Sequence, residues 1–467
     1  MHRVTLTVAA AFFMLLLDGS ILNTSLPVMA HALQVKPLAL SAAVTVYLLA
    51  AAAMLPMASW LGERLGLRRL FVIAIALFTL ASLLCGLAQG AQELVLARAL
   101  QGLGGGLMMP VGRTIAMRDA RKEDLIGITA LLTWPALFAP VLGPPLGGFI
   151  TTYVSWRWNF LFNVPLGIVA IALILRWVPH DAKHAPRPLD VPGAAGAALG
   201  LVLLLGGLEW AAHVVGEGAG RMQAVMTIAA GGAVLAWTVH HLRRTPNPVV
   251  SLAPFEHRTF LVATAAGGTF ASMCLQATPF LLPLLFQLAM GRSAVDAGAL
   301  LLPYFLGNLA IKSVTTRILL HLGFRRMLVA TGLGNAAAIA AFALVGPQTP
   351  WIVLVVLLVV AGCIRSMMLT AINTLMFADV TAPQRPAASS LATMSMQTAG
   401  ALGVAVGAIV LAVSESLHGG THLVLADFHA AFLAMGLFCA LATISFWRLP
   451  HDAGAEMTRA TAAGRSG

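Results

Sequence analysis

Apolar residues run along this chain in long blocks, separated by short segments rich in charge, proline or glycine. Fourteen blocks approach the roughly 20 residues that a helix needs to cross a bilayer. Their approximate limits are 4–27, 38–61, 70–89, 92–115, 125–150, 157–178, 191–213, 222–240, 259–286, 296–318, 327–346, 351–374, 387–413 and 428–449. The first block carries an unexpected polar position, Asp18, in the stretch Leu17-Asp18-Gly19-Ser20-Ile21-Leu22-Asn23-Thr24-Ser25-Leu26-Pro27. A carboxylate in hydrocarbon costs roughly 2.5–3.5 kcal/mol on insertion scales, so such a residue faces a protein interior or a water-filled cavity. Burial and a neighbouring cation pull its proton affinity in opposite directions, which suits a group that loads and releases a proton. The plainer alternative is an acid that only holds two helices together.

Composition confirms the membrane reading. The 467 residues are 59% hydrophobic and 10% charged, where a soluble domain has about 25% charged. Mean hydropathy is +0.89. The net charge of +11 does not point to nucleic acid, because the basic residues form small clusters between apolar blocks. With the N-terminus in the cytoplasm, 21 Lys and Arg fall on the cytoplasmic side and 4 on the other. The positive-inside rule then places both ends inside. Met1-His2-Arg3 before an apolar run, with Ala30-His31-Ala32 after it, has the outline of a cleaved signal peptide. Asp18 and the length of the run fit that poorly, and the segment is expected to stay as a membrane helix.

Cys85, Cys274, Cys363 and Cys439 lie inside apolar blocks without metal or disulfide spacing. The histidines also lack ligand spacing. No metal and no cofactor is expected. Gly102-Leu103-Gly104-Gly105-Gly106 lies inside a block and lacks the Lys-Ser or Lys-Thr of a phosphate loop.

The chain repeats itself. Arg64-Leu65-Gly66-Leu67-Arg68-Arg69-Leu70 follows the second block, and His321-Leu322-Gly323-Phe324-Arg325-Arg326-Met327 follows the tenth. Gly102 to Met109 is echoed weakly by Gly362 to Met368. The repeat joins spans 1–6 to spans 9–14 and leaves spans 7 and 8 as an insert. The expected fold is an all-α polytopic membrane protein with two six-helix bundles and two extra central helices, a transporter architecture. The expected divisions are 1–180 for the N-terminal bundle, 181–258 for linkers and inserted helices, 259–449 for the C-terminal bundle, and 450–467 for a cytoplasmic tail. His180–Asp190 and His241–Pro254 are the two linkers, the first with Pro186 and Pro188 as a hinge.

Several motifs resemble one family. The stretch around Asp18, with Asn23 and Pro27, is similar to the first-span motif of the fourteen-span drug:proton antiporters of the major facilitator superfamily, the EmrB/QacA-like group. Ser59-Trp60-Leu61-Gly62-Glu63-Arg64-Leu65-Gly66-Leu67-Arg68-Arg69 resembles the loop 2–3 motif, with Ser59 and Glu63 replacing the usual Gly and Asp. Leu96-Ala97-Arg98-Ala99-Leu100-Gln101-Gly102 resembles the fourth-span motif. Gly143-Pro144-Pro145-Leu146-Gly147-Gly148 resembles the antiporter motif of span 5, with Ala130 and Ala139 where upstream glycines are usual. Trp156-Arg157-Trp158-Asn159-Phe160-Leu161-Phe162-Asn163-Val164-Pro165 resembles the entry to span 6. Gln287, Gly291, Ala297-Gly298 and Pro303 fit the loop between spans 9 and 10.

The resemblance implies a proton-coupled exporter of drug-like molecules or metabolites, acting as a single chain in the bacterial inner membrane, with a small-molecule substrate and a proton as partners and no enzyme activity. It implies proton coupling through Asp18 and Arg98, and a gate at Glu63, Arg64, Gly66, Arg68 and Arg69. It implies a rocking helix at Gly143, Pro144, Gly147 and Gly148. Asn23, Arg113, Gln287, Lys312 and Arg365 are candidates for the substrate cavity. The cations outnumber the acids within spans, where only Asp18 and Glu209 are expected well inside, so export of organic anions such as citrate or its metal chelates is a second reading. Lys312, one turn from the expected end of span 10, and Arg365 could equally snorkel to an interface.

Overall fold

The computed structural model describes residues 2–118, 125–179, 188–214, 218–420, 422–450 and 453. Most of the first linker with Pro186, the basic residues Arg121, Lys122, Lys183 and Arg187, and nearly all of the tail lie outside the described residues. So do the side chains of Ser59 and Ala130.

The described residues are helical and contain no strand. The long helices of the first part are α1 (His2–Ala32), α2 (Pro37–Met57), α3 (Leu67–Leu87), α4 (Ala91–Arg118), α5 (Leu125–Tyr153), α6 (Trp158–Trp177), α7 (Val191–His213) and α8 (Gly218–Arg244). Those of the second part are α9 (Arg258–Ala289), α10 (Ala294–Ala310 with Lys312–Leu322), α11 (Phe324–Leu344), α12 (Trp351–Leu375), α13 (Arg385–Leu417) and α14 (Leu425–Trp447). Among the described residues 12 helices are long and apolar enough to cross a membrane, and 13 if the two limbs of α10 count as one span. The limbs meet at 50°.

Contacts divide the chain into two compact units, Met1–Val249 with Arg292–Ala299, and Val250–Gly291 with Leu300–Gly467. The inserted hairpin α7–α8 therefore clusters with the first unit. In that unit α1 packs on α5, α2 on α4, and α3 on α4 and α6; α8 packs on α7, and α7 on α2. Phe12, Phe71, Phe78 and Met108 are buried at its centre. In the second unit α9 packs on α13, and α11 on α12 and α14. Phe260, Phe324, Met368 and Phe446 fill that core. The partnerships correspond pair by pair, as the sequence repeat requires.

Backbone geometry repeats too. Gly66 ends the short helix Ala58–Leu65 at φ +83°, and Gly323 ends the second limb of α10 at φ +75°. Both take a left-handed conformation that a β-carbon would strain. Close approach repeats as well: a methyl on Gly102 would strike the Tyr47 carbonyl, and one on Gly362 the Tyr304 carbonyl. Helices in lipid gain little from the hydrophobic effect between them, so small residues that let backbones touch supply the dispersion contacts.

Three expectations change. Pro27 does not close the first span: α1 runs on to Ala32 with Pro27 inside it, because a membrane helix tolerates the lost hydrogen bond when neighbouring helices support it. Lys312 is not one turn from the end of span 10; it sits at the bend, and the second limb continues to Leu322. Span 13 is longer than expected and takes in Glu415, a buried acid in its last turn.

Asp190 fastens the inserted hairpin. It caps α7, its Oδ1 accepting the Gly193 amide at 2.9 Å and His241 Nε2 at 2.8 Å, while Oδ2 accepts the Val249 amide at 3.2 Å. Burial pushes this carboxyl up, but His241 and the Gly193 and Val249 amides more than offset that and hold it below the ordinary 3.8. A depressed folded-state pKa stabilises above the unfolded value and loses its effect as pH falls through the folded one. Asp190→Asn keeps a capping oxygen but removes the charge, and should therefore lower stability by about 1 kcal/mol at pH 7, the excess of a hydrogen bond to a charged group over a neutral one. Thermal unfolding in detergent should show this gap closing below about pH 4.

Candidate functional site

The first unit encloses a network of polar side chains in an apolar core. Asp18 from α1 and Arg98 from α4 are both almost wholly buried, and Arg98 Nη1 donates to Asp18 Oδ2 at 2.7 Å. Asp18 Oδ1 accepts from Gln101 Nε2 at 2.9 Å and Asn163 Nδ2 at 2.7 Å. Gln101 Oε1 accepts from Arg98 Nη1 at 2.6 Å, and Gln101 Nε2 also donates to Ser82 Oγ at 2.8 Å. Arg98 Nε donates to the Ala43 carbonyl at 3.3 Å, and its guanidinium carbon lies 4.2 Å from the Tyr47 ring centroid.

Every element places its residue for a local reason. Arg98 and Gln101 lie three apart and so share one face of α4. Gly102, Gly105 and Gly106 let that face sink against α2 and α1: a methyl on Gly106 would strike the Ala51 carbonyl, and one on Gly105 would meet Leu15 and the Tyr47 hydroxyl. Asn163 opens the part of α6 that packs on α1 and α3. Removing one partner of a buried pair of this kind typically costs about 3–5 kcal/mol, because the other charge is left uncompensated.

The pairing of Asp18 with Arg98 was legible from sequence, while Gln101, Asn163, Ser82 and Tyr47 had no role assigned. Gln101 was readable from its spacing to Arg98. Asn163 and Ser82 reach the site through tertiary packing that no local spacing reveals.

A second polar cluster lies where α1 meets α5 and the start of α6. Ser25 Oγ is 2.7 Å from Thr151 Oγ1, and Asn159 Nδ2 donates to both at 2.7 and 2.8 Å. Below it the span 5 motif touches α1. Methyls on Gly143 and Gly147 would strike Ser20 and the Ile21 carbonyl. Ser20 Oγ donates to the Ala139 carbonyl at 3.0 Å, and Thr24 Oγ1 to the Pro144 carbonyl at 3.4 Å. Pro144 and Pro145 withdraw two amide donors from the α5 ladder, those that would meet the Pro140 and Val141 carbonyls. Gly148 takes its close contact from Ala294, in the stretch 292–299 that clusters with the first unit.

In the loop motif, Glu63, Arg64 and Arg69 are exposed. Arg64 lies over the Trp60 ring at 5.2 Å, and Arg68 Nη2 donates to the Leu175 carbonyl at the end of α6.

The cavity candidates are dispersed. Arg113 is exposed on α4. Asn23 is half-buried, and its Oδ1 is buried without a hydrogen bond. In the second unit Gln287 lies on a π-helical turn, Leu285–Ala289, and donates to the Pro283 carbonyl at 3.3 Å. Lys312 is exposed at the bend of α10. Arg365 is buried; its Nη2 donates to Gln276 Oε1 at 2.8 Å and its Nε to the Leu275 carbonyl at 3.4 Å, with the Tyr304 ring 5.8 Å away. Unlike Arg98, it has no carboxylate partner among the described residues. No cluster of His, Cys, Asp or Glu among the described residues could hold a metal ion.

A two-unit helical membrane fold with a buried charge network defines a transport protein. Residues 8–404 match the model of the Major Facilitator Superfamily, and the chain belongs to that family. It is 36% identical over 451 residues to the multidrug resistance protein MdtD of Pectobacterium atrosepticum, covering 95% of each chain. To the MdtD of Escherichia coli strain 55989 it is 34% identical, covering 95% of this chain and 94% of the relative. Its fold is shared by a D-xylose-proton symporter, with TM-score 0.68 and 15% identity over 97% of this chain and 99% of the other. The chain is thus a multi-pass transporter and not an enzyme.

Hydrogen bonds to charged groups are worth about 1.5–3 kcal/mol each. Asn163→Ala removes one of the three donors to Asp18 and should cost about 2 kcal/mol, read as a lower unfolding midpoint in detergent at pH 7.

Proposed function

We propose that this protein is a proton-coupled exporter of small drug-like molecules or metabolites, working by alternating access in a bacterial inner membrane as a single chain. The observation that carries the reading is the Asp18 carboxylate, sunk in an apolar core yet given Arg98, Gln101 and Asn163 as donors. With the pair closed, the carboxylate is stabilised without its proton. When the helices tilt and the donors draw back, the proton returns, because an uncompensated carboxylate in hydrocarbon is costly. Proton binding and helix position then bias each other reciprocally. Each unit of difference in proton affinity between the two states supplies about 1.4 kcal/mol of coupling.

In this reading both termini face the cytoplasm and the chain spans the membrane fourteen times. The fourteenth span is α5, which is 29 residues long and has no charged side chain. Glu63, Arg64, Gly66, Arg68 and Arg69 form a cytoplasmic latch, for which the Arg68 bond to α6 is the first contact. Gly143, Pro144, Gly147 and Gly148 are the surface on which α5 slides over α1. The multidrug names of the relatives support a drug-like substrate.

Asp18→Asn keeps the hydrogen-bonding shape and removes the titration. Efflux of ethidium from everted vesicles, driven by a pH gradient, should fall to background, while equilibrium binding of the dye persists. Undiminished gradient-driven efflux in this variant would remove the coupling role.

A second reading concerns the substrate. Arg365 brings into the second unit a buried positive charge with no acidic partner among the described residues, which favours molecules with an anionic group, including organic anions such as citrate. Everted vesicles carrying Arg365→Gln should then lose transport of citrate and keep transport of ethidium. Equal loss of both, or of neither, counts against the anion reading.

A further inference from the structure

We propose that Glu209 of the inserted hairpin is a positioning residue for the Asp18–Arg98 pair and acts through α2. Glu209 is a buried acid on α7, and its carboxyl oxygens face two hydroxyls of α2. Oε1 contacts Ser41 Oγ, and Oε2 accepts from Thr45 Oγ1 at 2.9 Å. Ser41 and Thr45 are one turn apart and share a face of α2. Ala43 and Tyr47 are also one turn apart, and they lie two residues round from the first pair, nearly opposite at about 100° per residue.

That second face holds Arg98. The Ala43 carbonyl accepts its Nε, and the Tyr47 ring lies beneath its guanidinium at 4.2 Å. Within seven residues, α2 is therefore gripped by the inserted hairpin on one side and supports the cation on the other. The hairpin has little else to hold it: α8 packs chiefly on α7, and α7 on α2. Much of the surface of α8 is exposed and apolar, with Met222, Val225, Met226 and Trp237 outward. The polar clasp at Glu209 meets the helix that seats Arg98.

A looser α2 lets Ala43 and Tyr47 recede, so the guanidinium is held less firmly against Asp18. The titratable groups around Asp18 are Arg98 from α4, Tyr47 from α2 and Cys85 from α3. A carboxylate whose cation is less firmly placed keeps its proton to higher pH. The inference rests on the coupling role proposed for Asp18 and Arg98.

The test is the pH profile of gradient-driven ethidium efflux in vesicles carrying the full chain. Glu209→Ala and the milder Thr45→Val should both move the half-maximal pH to the alkaline side by about half a unit or more, with KM for the dye unchanged. Glu209→Gln, which keeps an acceptor for Thr45 and the side-chain shape, should stay close to wild type. Faster hydrogen exchange across 41–47 in Thr45→Val should report the loosened clasp directly. An unmoved profile in Glu209→Ala and Thr45→Val overturns the proposal, as does unchanged exchange. If Glu209→Ala does not fold, Thr45→Val and Ser41→Ala decide it alone. Asp18→Asn separates the failures: if it still pumps, the coupling role falls; if it is dead and the profiles do not move, only the role of Glu209 falls.

Discussion

A carboxylate and a guanidinium meet at 2.7 Å where neither could remain alone. The desolvation of both charges is large, and the first unit is built so that the pair is solvated by protein. Gln101, Asn163 and the Ala43 carbonyl replace water for the charged atoms, and Tyr47 offers its ring face to the cation. These groups come from α4, α6 and α2, so the ion pair draws four helices, including α1, to one point. The second unit repeats the helix partnerships without repeating this chemistry. Arg365 is met by an amide and a carbonyl rather than an acid. Two bundles of one design therefore surround their buried arginines with different partners.

Around the charges, the packing depends on absent side chains. Gly102, Gly105 and Gly106 bring α4 against its neighbours, and Gly143 and Gly147 bring α5 onto α1. The close approach places hydroxyls of α1 against carbonyls of α5. Contacts of this type are weak singly and easily exchanged, which suits a surface that slides. The core beneath Arg98 is instead filled with phenylalanine and methionine, which suits a part that moves as one body.

Much of this was legible in the chain because a membrane writes its constraints in long apolar runs. The helix order and the doubled pattern around Gly66 and Gly323 follow from spacing and charge, and the link between Asp18 and Arg98 from the resemblance of their motifs to those of the family. What stayed hidden needs three dimensions. Asn163 and Ser82 lie 145 and 64 positions beyond Asp18, and only helix packing makes them neighbours. Helix ends were blurred where proline or a lone polar residue interrupts an apolar block without interrupting the helix, as at Pro27. The bend at Lys312 is marked in composition only by residues of low helix propensity, Gly307-Asn308 before it and Ser313-Val314-Thr315-Thr316 after it, which do not by themselves break an apolar block.

The carboxylate that caps α7 also has a topological meaning. Because Asp190 receives the Val249 amide, the polypeptide comes back to within one hydrogen bond of the point where it departed. The intervening helical hairpin is thus a closed excursion, and a chain without it could continue along the same path with a short splice. A bundle of twelve helices is in that sense already contained here, and the extra pair can be gained or lost without rerouting its host.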